Sequence, residues 1–185
     1  MDMKIIQGKL KSRRILIPAN IRPTSSLLRR AIFDIIRDEI IDKSLLDLFA
    51  GSGALGFEAL SCGAKELFFV DWNKFCINII QKNLAGLKLS GQAKVYRKNS
   101  FDIIKQFSQQ GRVFDIILID PPYHKGDARK ALQIIYEYDI VSPSGYVIVL
   151  CYRKEEKPIP HARFTLVISK EYGQTLLLIY RKGEN

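Results

Sequence analysis

Cysteine and histidine are scarce in this chain, and their scarcity removes whole classes of chemistry. Only Cys62, Cys76 and Cys151 occur, odd in number and without C-x-x-C spacing, so neither a disulfide framework nor a zinc site is indicated. They read as reduced, mostly buried small hydrophobes. His124 and His161 are too few for a histidine-built metal centre, and no metal is expected. No apolar run approaches the roughly 18 residues of a membrane span, and Met1-Asp2-Met3-Lys4 lacks the apolar core of a secretion signal. The expectation is a cytoplasmic protein with no membrane partner. Acids are also under-represented: 19 stand against 29 lysines and arginines, a net charge of +10, which points to a polyanionic partner. The 185 residues, 47% of them hydrophobic, suffice for one well-filled domain and a small appendage.

What is present centres on Leu45-Leu46-Asp47-Leu48-Phe49-Ala50-Gly51-Ser52-Gly53-Ala54-Leu55-Gly56, a short apolar run that ends in a carboxylate and passes into a glycine-rich turn. It reads as strand, loop and helix start. Gly51, Gly53 and Gly56 satisfy G-x-G-x-x-G, which lets backbone approach a nucleotide-like ligand. The next apolar run, Leu67-Phe68-Phe69-Val70, closes on Asp71, so two carboxylates flank one glycine loop. A nicotinamide site wants the second acid for its ribose, but Asp47 beside the loop would repel a pyrophosphate. A ligand with no phosphate and a cationic amino-acid end suits both acids, and S-adenosylmethionine is such a ligand. The alternative is a tight strand-to-helix connection with no ligand.

Upstream, Ile5-Ile6 and Ile15-Leu16-Ile17 enclose a basic stretch from Gly8 to Arg14, which suggests a β-hairpin or extended arm over residues 4–17. Pro23 with Thr24 or Ser25 as cap starts a helix predicted from Leu27 to Ile40, with Leu28, Ile32, Ile35 or Ile36 and Ile40 on its apolar face. That pattern leaves Arg29, Arg30 and Arg37 toward solvent or a partner. Lys9, Lys11, Arg13, Arg14, Arg22, Arg29 and Arg30, with almost no acids among them, favour phosphate contact, against the alternative of a solvated face.

From Ser44 onward strand-like and helical runs alternate, the signature of a doubly wound α/β sheet. Strands are predicted near 45–49, 66–70, 93–96, 113–119 and 145–151, and helices near 54–62, 73–85, 100–109 and 127–138, with Asn73 capping the second. After Pro158 and Pro160, Phe164 to Ser169 and Thr175 to Tyr180 form a terminal hairpin. Asn99 and Ser100 follow the third strand; they suit either an adenine edge or a helix cap.

The fourth strand runs into Asp120-Pro121-Pro122-Tyr123. The prolines stiffen the loop and donate no backbone hydrogen bond, so Asp120 stands beside an acceptor-rich turn followed by an aromatic ring. A carboxylate and a carbonyl can take the two N–H bonds of a planar amine while Tyr123 stacks on its ring. The exocyclic amine of a nucleobase fits; a proline-rich strand exit with a surface tyrosine is the alternative.

Taken together, these motifs resemble the class I S-adenosylmethionine-dependent methyltransferases, and within them the RsmD-type guanine-N2 methyltransferases of small-subunit ribosomal RNA. The resemblance spans nearly the whole chain. It rests on Asp47 to Gly53, on Asp120 to Tyr123, on Arg22-Pro23-Thr24 with Arg29-x-Ala31-x-Phe33, and on Tyr172-Gly173-Gln174-Thr175. Arg30, Asn99 and Leu150-Cys151 depart from the family pattern, which more often carries acids there.

The resemblance implies a Rossmann-like, mostly parallel seven-stranded sheet with helices on both faces, a C-terminal antiparallel hairpin and a small N-terminal hairpin and helix. Residues 1–43 would be an RNA-binding appendage and 44–185 the methyltransferase domain. S-adenosylmethionine would meet Asp47, Phe49, Ala50, Gly51, Gly53, Asp71, Trp72, Asn99 and Ser100. Asp120, Pro121, Pro122 and Tyr123 would be catalytic, and Thr24 would join the seven cations in holding RNA. The implied substrate is 16S ribosomal RNA, within a partly assembled small subunit or free, at the base conventionally numbered 966, and the implied state a monomer. A DNA adenine-N6 methyltransferase, an idle RNA-binding or assembly protein and a nicotinamide oxidoreductase are the rivals. Asp47 and Asp120 disfavour the last two, and the N-terminal signature disfavours the DNA enzyme.

Overall fold

The computed structural model describes residues 1–21, 23–123, 126–155, 158 and 161–184. The chain divides into two compact units, Met1–Lys98 and Asn99–Asn185. This is a division by packing, and it falls elsewhere than the division of roles expected at residue 43.

The first unit opens with β1 (Asp2–Lys4) and β2 (Arg14–Leu16), paired antiparallel with Met3 opposite Ile15. Helix α1 (Ser26–Ile35) is capped by the Ser25 hydroxyl, which accepts from the Leu28 N–H. The helix is shorter than its apolar pattern suggested: Ile36 and Ile40 are buried from turns beyond its end. Strands β3 (Ser44–Asp47), β4 (Glu66–Asp71) and β5 (Ala93–Arg97) are parallel, Leu46 facing Phe68 and Phe69 facing Val95 in register.

Between them run α2 (Ala54–Ser61) and α3 (Lys74–Leu87). Every residue of α2 is buried, the polar Glu58 and Ser61 included, and each of these two is hydrogen-bonded to the N-terminal segment. Helix α3 shows the opposite pattern, burying Cys76, Ile77, Ile80, Asn83 and Leu84 along one side only.

The second unit contains α4 (Ser100–Gln109), β6 (Phe114–Ile119), α5 (Asp127–Tyr138), β7 (Val141–Tyr152), β8 (Phe164–Tyr172) and β9 (Thr175–Lys182). Strands β6 and β7 are parallel, whereas β9 runs antiparallel to both β7 and β8. The terminal strands extend further than their apolar runs because Tyr172 still pairs with Thr175, which leaves only Gly173-Gln174 as the turn. Gly173 supplies the positive φ that such a turn needs. The seven-stranded sheet has the order β5-β4-β3-β6-β7-β9-β8.

Candidate active site

In the first unit β3 delivers Asp47, only 1% exposed, to the carboxyl end of the sheet. Leu48 and Phe49 turn the chain, and the Ala50 N–H donates to the Val70 carbonyl at 2.9 Å, stitching the loop to β4. Gly51 has φ +51° and Gly53 φ +77°, the left-handed region that glycine enters without a Cβ penalty. Gly53 is the N-cap of α2; its N–H donates to the Ala50 carbonyl at 2.6 Å and the Ala54 N–H to the Ser52 hydroxyl at 3.3 Å, so the loop is closed tightly on itself where the helix begins. Gly56 serves packing: a Cβ there would overlap Phe69 and Leu67 of β4.

Asp71 ends β4 and holds this loop in shape. Its Oδ2 accepts from the Gly51 N–H and its Oδ1 from the Asn73 N–H, each at 2.8 Å. Asn73 then caps α3 by accepting from the Phe75 N–H, and Trp72 between them is 73% exposed. Two buried carboxylates and a glycine loop therefore stand together at the carboxyl ends of β3 and β4.

In the second unit Asn99 is the N-cap of α4, its Oδ1 accepting from the Phe101 and Asp102 N–H groups at 2.8 and 3.4 Å. Of the two readings open from sequence, the structure makes the cap. Ser100 is buried beside it. Asp120 follows β6 and is half-buried, Pro121 is buried, Pro122 exposed and Tyr123 half-buried. The Tyr123 hydroxyl shares a 2.6 Å hydrogen bond with Thr175 Oγ1, and its ring lies 6.4 Å from that of Tyr152. The Asp-Pro-Pro-Tyr loop is thus braced by the C-terminal turn motif. Sequence reasoning noted both motifs and missed that they touch through Thr175; Tyr152 is the residue it overlooked.

The expected RNA-binding residues divide. Lys9, Lys11, Arg13, Arg14 and Arg30 are exposed, Arg14 pairing with Asp2 at 2.7 Å. Thr24 is half-buried and lends its carbonyl to Arg29 at 2.6 Å. Arg22, like His124, lies outside the described residues.

Arg29 is a correction: it is 4% exposed and cannot face RNA. Its Nε donates to Glu58 Oε1 at 3.1 Å and its Nη2 to the Lys4 carbonyl at 3.2 Å. Glu58 is 1% exposed and also accepts from the Ile6 N–H at 2.9 Å. A guanidinium on the edge of an apolar face turns inward when a buried carboxylate waits for it. Burial pushes the Glu58 carboxyl up and the Arg29 guanidinium down, while their mutual attraction opposes both shifts.

A mostly parallel seven-stranded sheet with a C-terminal antiparallel hairpin, a glycine loop after one parallel strand and an acid closing the next defines the class I methyltransferase fold. The family described as conserved hypothetical protein 95 matches residues 3–181, and the chain belongs to that family, the RsmD-type one its motifs resemble. Ribosomal RNA small subunit methyltransferase D of Haemophilus influenzae is 34% identical over 187 residues, spanning 100% of this chain and 94% of its own. Its namesake in Escherichia coli K12 is 29% identical over 183 residues, covering 98% and 90%. Among solved structures, an Escherichia coli protein assigned as a methyltransferase superposes with TM-score 0.90 at 28% identity, covering 100% of both chains. A hypothetical protein of Thermus thermophilus superposes with TM-score 0.83 at 26% identity, covering 96% and 98%.

Proposed function

We propose that this protein transfers a methyl group from S-adenosylmethionine to the exocyclic N2 amine of a guanine in 16S ribosomal RNA. The observation that carries the reading is Asp120-Pro121-Pro122-Tyr123 at the carboxyl end of β6, braced through Tyr123 by Thr175 and Tyr152. The names of the full-length relatives support the substrate class.

The cofactor site fits on its own chemistry. Asp47 and Asp71 are buried acids beside a glycine loop that leads into the start of α2, which suits a ligand with a cationic amino group, a carboxylate and ribose hydroxyls. Asp47 with Phe49, Ala50, Gly51 and Gly53 would hold the methionine end. Asp71 keeps lone pairs for the ribose beyond its two loop bonds, and Trp72, Asn99 and Ser100 would line the adenine. When bound, the cofactor supplies a methyl group already activated on a sulfonium, so the chain needs no covalent nucleophile.

What remains for the protein is orientation. Guanine N2 is a weak nucleophile whose lone pair is delocalised into the ring. Asp120 and the Pro121 carbonyl would accept its two N–H bonds and stabilise the positive charge that grows on nitrogen. Asp120 or water then removes the surplus proton. Tyr123 would offer the unstacked base a surface worth about 1–3 kcal/mol.

Lys9, Lys11, Arg13, Arg14 and Arg30 would hold RNA phosphates, with residues 1–43 as appendage and 44–185 as catalytic domain of a cytoplasmic monomer.

S-adenosylhomocysteine should raise the melting temperature, since a ligand at 100 times its dissociation constant adds about 2.7 kcal/mol, whereas NADH should not. Asp120→Ala should keep that shift and lose methyl transfer to 16S ribosomal RNA by on the order of 100-fold or more. Mass spectrometry of the digested product should find N2-methylguanosine. N6-methyladenosine instead, or near-normal turnover by Asp120→Ala, would overturn the assignment.

A further inference from the structure

From Trp72 to Lys98 the chain carries six cations, Lys74, Lys82, Lys88, Lys94, Arg97 and Lys98, and no acid. All six are exposed. On α3 the exposed residues Lys74, Phe75, Asn78, Gln81, Lys82, Ala85 and Gly86 fall on one side, within roughly 140° of each other at about 100° per residue. A helix face of this kind, bearing two lysines, two amides and no carboxylate, repels cations along its whole length.

Phe75 stands on that face, 75% exposed in the first turn. A single surface phenylalanine needs no explanation. This one sits among cations and amides, three residues from Trp72, which is as exposed as itself. An aromatic ring amid positive charge is what stacks a splayed base while neighbouring phosphates are neutralised. Beside it β5, at the edge of the sheet, adds Arg97, whose Nε donates to the Trp72 carbonyl at 3.4 Å.

The basic hairpin lies against the same helix. Leu16 of β2 exchanges both of its backbone bonds with the Asn83 side chain, its N–H donating at 2.8 Å and its carbonyl accepting at 2.9 Å. Asn83 belongs to the buried side of α3, so the hairpin packs against the inner flank of the helix and leaves its outer face exposed. The nearest hairpin acid, Asp2, is already paired with Arg14.

We infer that the outer face of α3, continued by β5, is a second contact surface for single-stranded RNA, with Phe75 stacking a base and Lys74 and Lys82 meeting phosphates on either side. The inference rests on the ribosomal RNA reading above and extends the RNA path beyond the hairpin. Trp72 is left to the cofactor.

The test titrates a fluorescein-labelled single-stranded oligoribonucleotide of mixed sequence at several salt concentrations, with S-adenosylhomocysteine affinity and melting temperature measured alongside. Lys74→Ala combined with Lys82→Ala should reduce the slope of log affinity against log salt by roughly 1.4, about 0.7 for each contact. Phe75→Ala should weaken binding about fivefold or more at unchanged slope, and Phe75→Tyr should restore it. Folded variants that match the wild type in affinity and slope, while the wild type still methylates 16S ribosomal RNA, would overturn this inference and leave the proposed function standing. A wild type that neither binds nor methylates RNA would remove both. Phe75→Ala weakening S-adenosylhomocysteine rather than RNA, or the lysine pair mattering only for phosphatidylglycerol vesicles, would also overturn it.

Discussion

Gly51 and Gly56 share a motif and serve different ends, which substitution can separate. At Gly51 an added Cβ meets nothing closer than 3.6 Å, so alanine would pay only the left-handed backbone penalty, about 1–2 kcal/mol. Because its N–H is held by Asp71, Gly51→Ala should mainly distort the loop and weaken S-adenosylhomocysteine binding. At Gly56 alanine would be driven into Phe69 and Leu67, and overpacking of this kind costs about 1–3 kcal/mol. Gly56→Ala should therefore lower the melting temperature and leave the ligand shift largely intact, as differential scanning fluorimetry with and without ligand would reveal. Motif spacing made all three glycines legible, but not that one shapes a loop and another admits a strand. Arg29 was misread for a related reason: apolar periodicity locates the buried face of α1 without saying which long polar side chain at its margin turns inward. Its partner Glu58 lies 29 positions away in sequence.

Among elements, the Arg29–Glu58 pair joins the start of the chain, α1 and α2, since Glu58 also receives the Ile6 N–H and Arg29 also reaches the Lys4 carbonyl. Removing one partner strands the other charge in the interior, at a cost of about 3–5 kcal/mol, whereas replacing both by apolar residues can be nearly neutral. Arg29→Met and Glu58→Leu should each destabilise strongly and the double variant much less, a non-additivity that urea unfolding of the double-mutant cycle measures. Purely additive losses would show that the pair is not coupled. Element ends were best read where local chemistry sets them. Helix α4 spans Ser100–Gln109 and α5 spans Asp127–Tyr138, the ranges their sequences implied; Asn99 caps one, and left-handed Gly126 and Asp139 bound the other. Where pairing partners set the end, as at β8 and β9, the sequence fell short, because the ladder runs past the apolar run to the turn itself.

For the whole molecule, a charge of +10 makes the few well-placed acids matter. Asp139 accepts from Arg163 at 2.8 Å and from the buried Lys182 ammonium at 2.7 Å. Burial pushes its carboxyl up, but the two cations outweigh that and hold it below its ordinary 3.8. The stability it contributes is present above the ordinary value and lost as pH falls through the lowered one. Acid unfolding followed by circular dichroism should steepen below about pH 4, and Asp139→Asn, which tolerates the left-handed backbone there, should flatten that limb while lowering stability at neutral pH. One further arrangement sets a dimension of the protein. Helix α2 begins at the glycine loop with Gly53 and ends at Ser61, whose carbonyl and hydroxyl take the Lys9 and Leu10 N–H groups of the hairpin turn. Gly8 is pressed so closely there that no larger residue fits. At about 1.5 Å per residue, α2 is a ruler of roughly 12 Å graduated in quarter turns: one residue inserted would swing the hairpin about 100° around the loop, so the length of α2 is as much a functional constant as any side chain in the site.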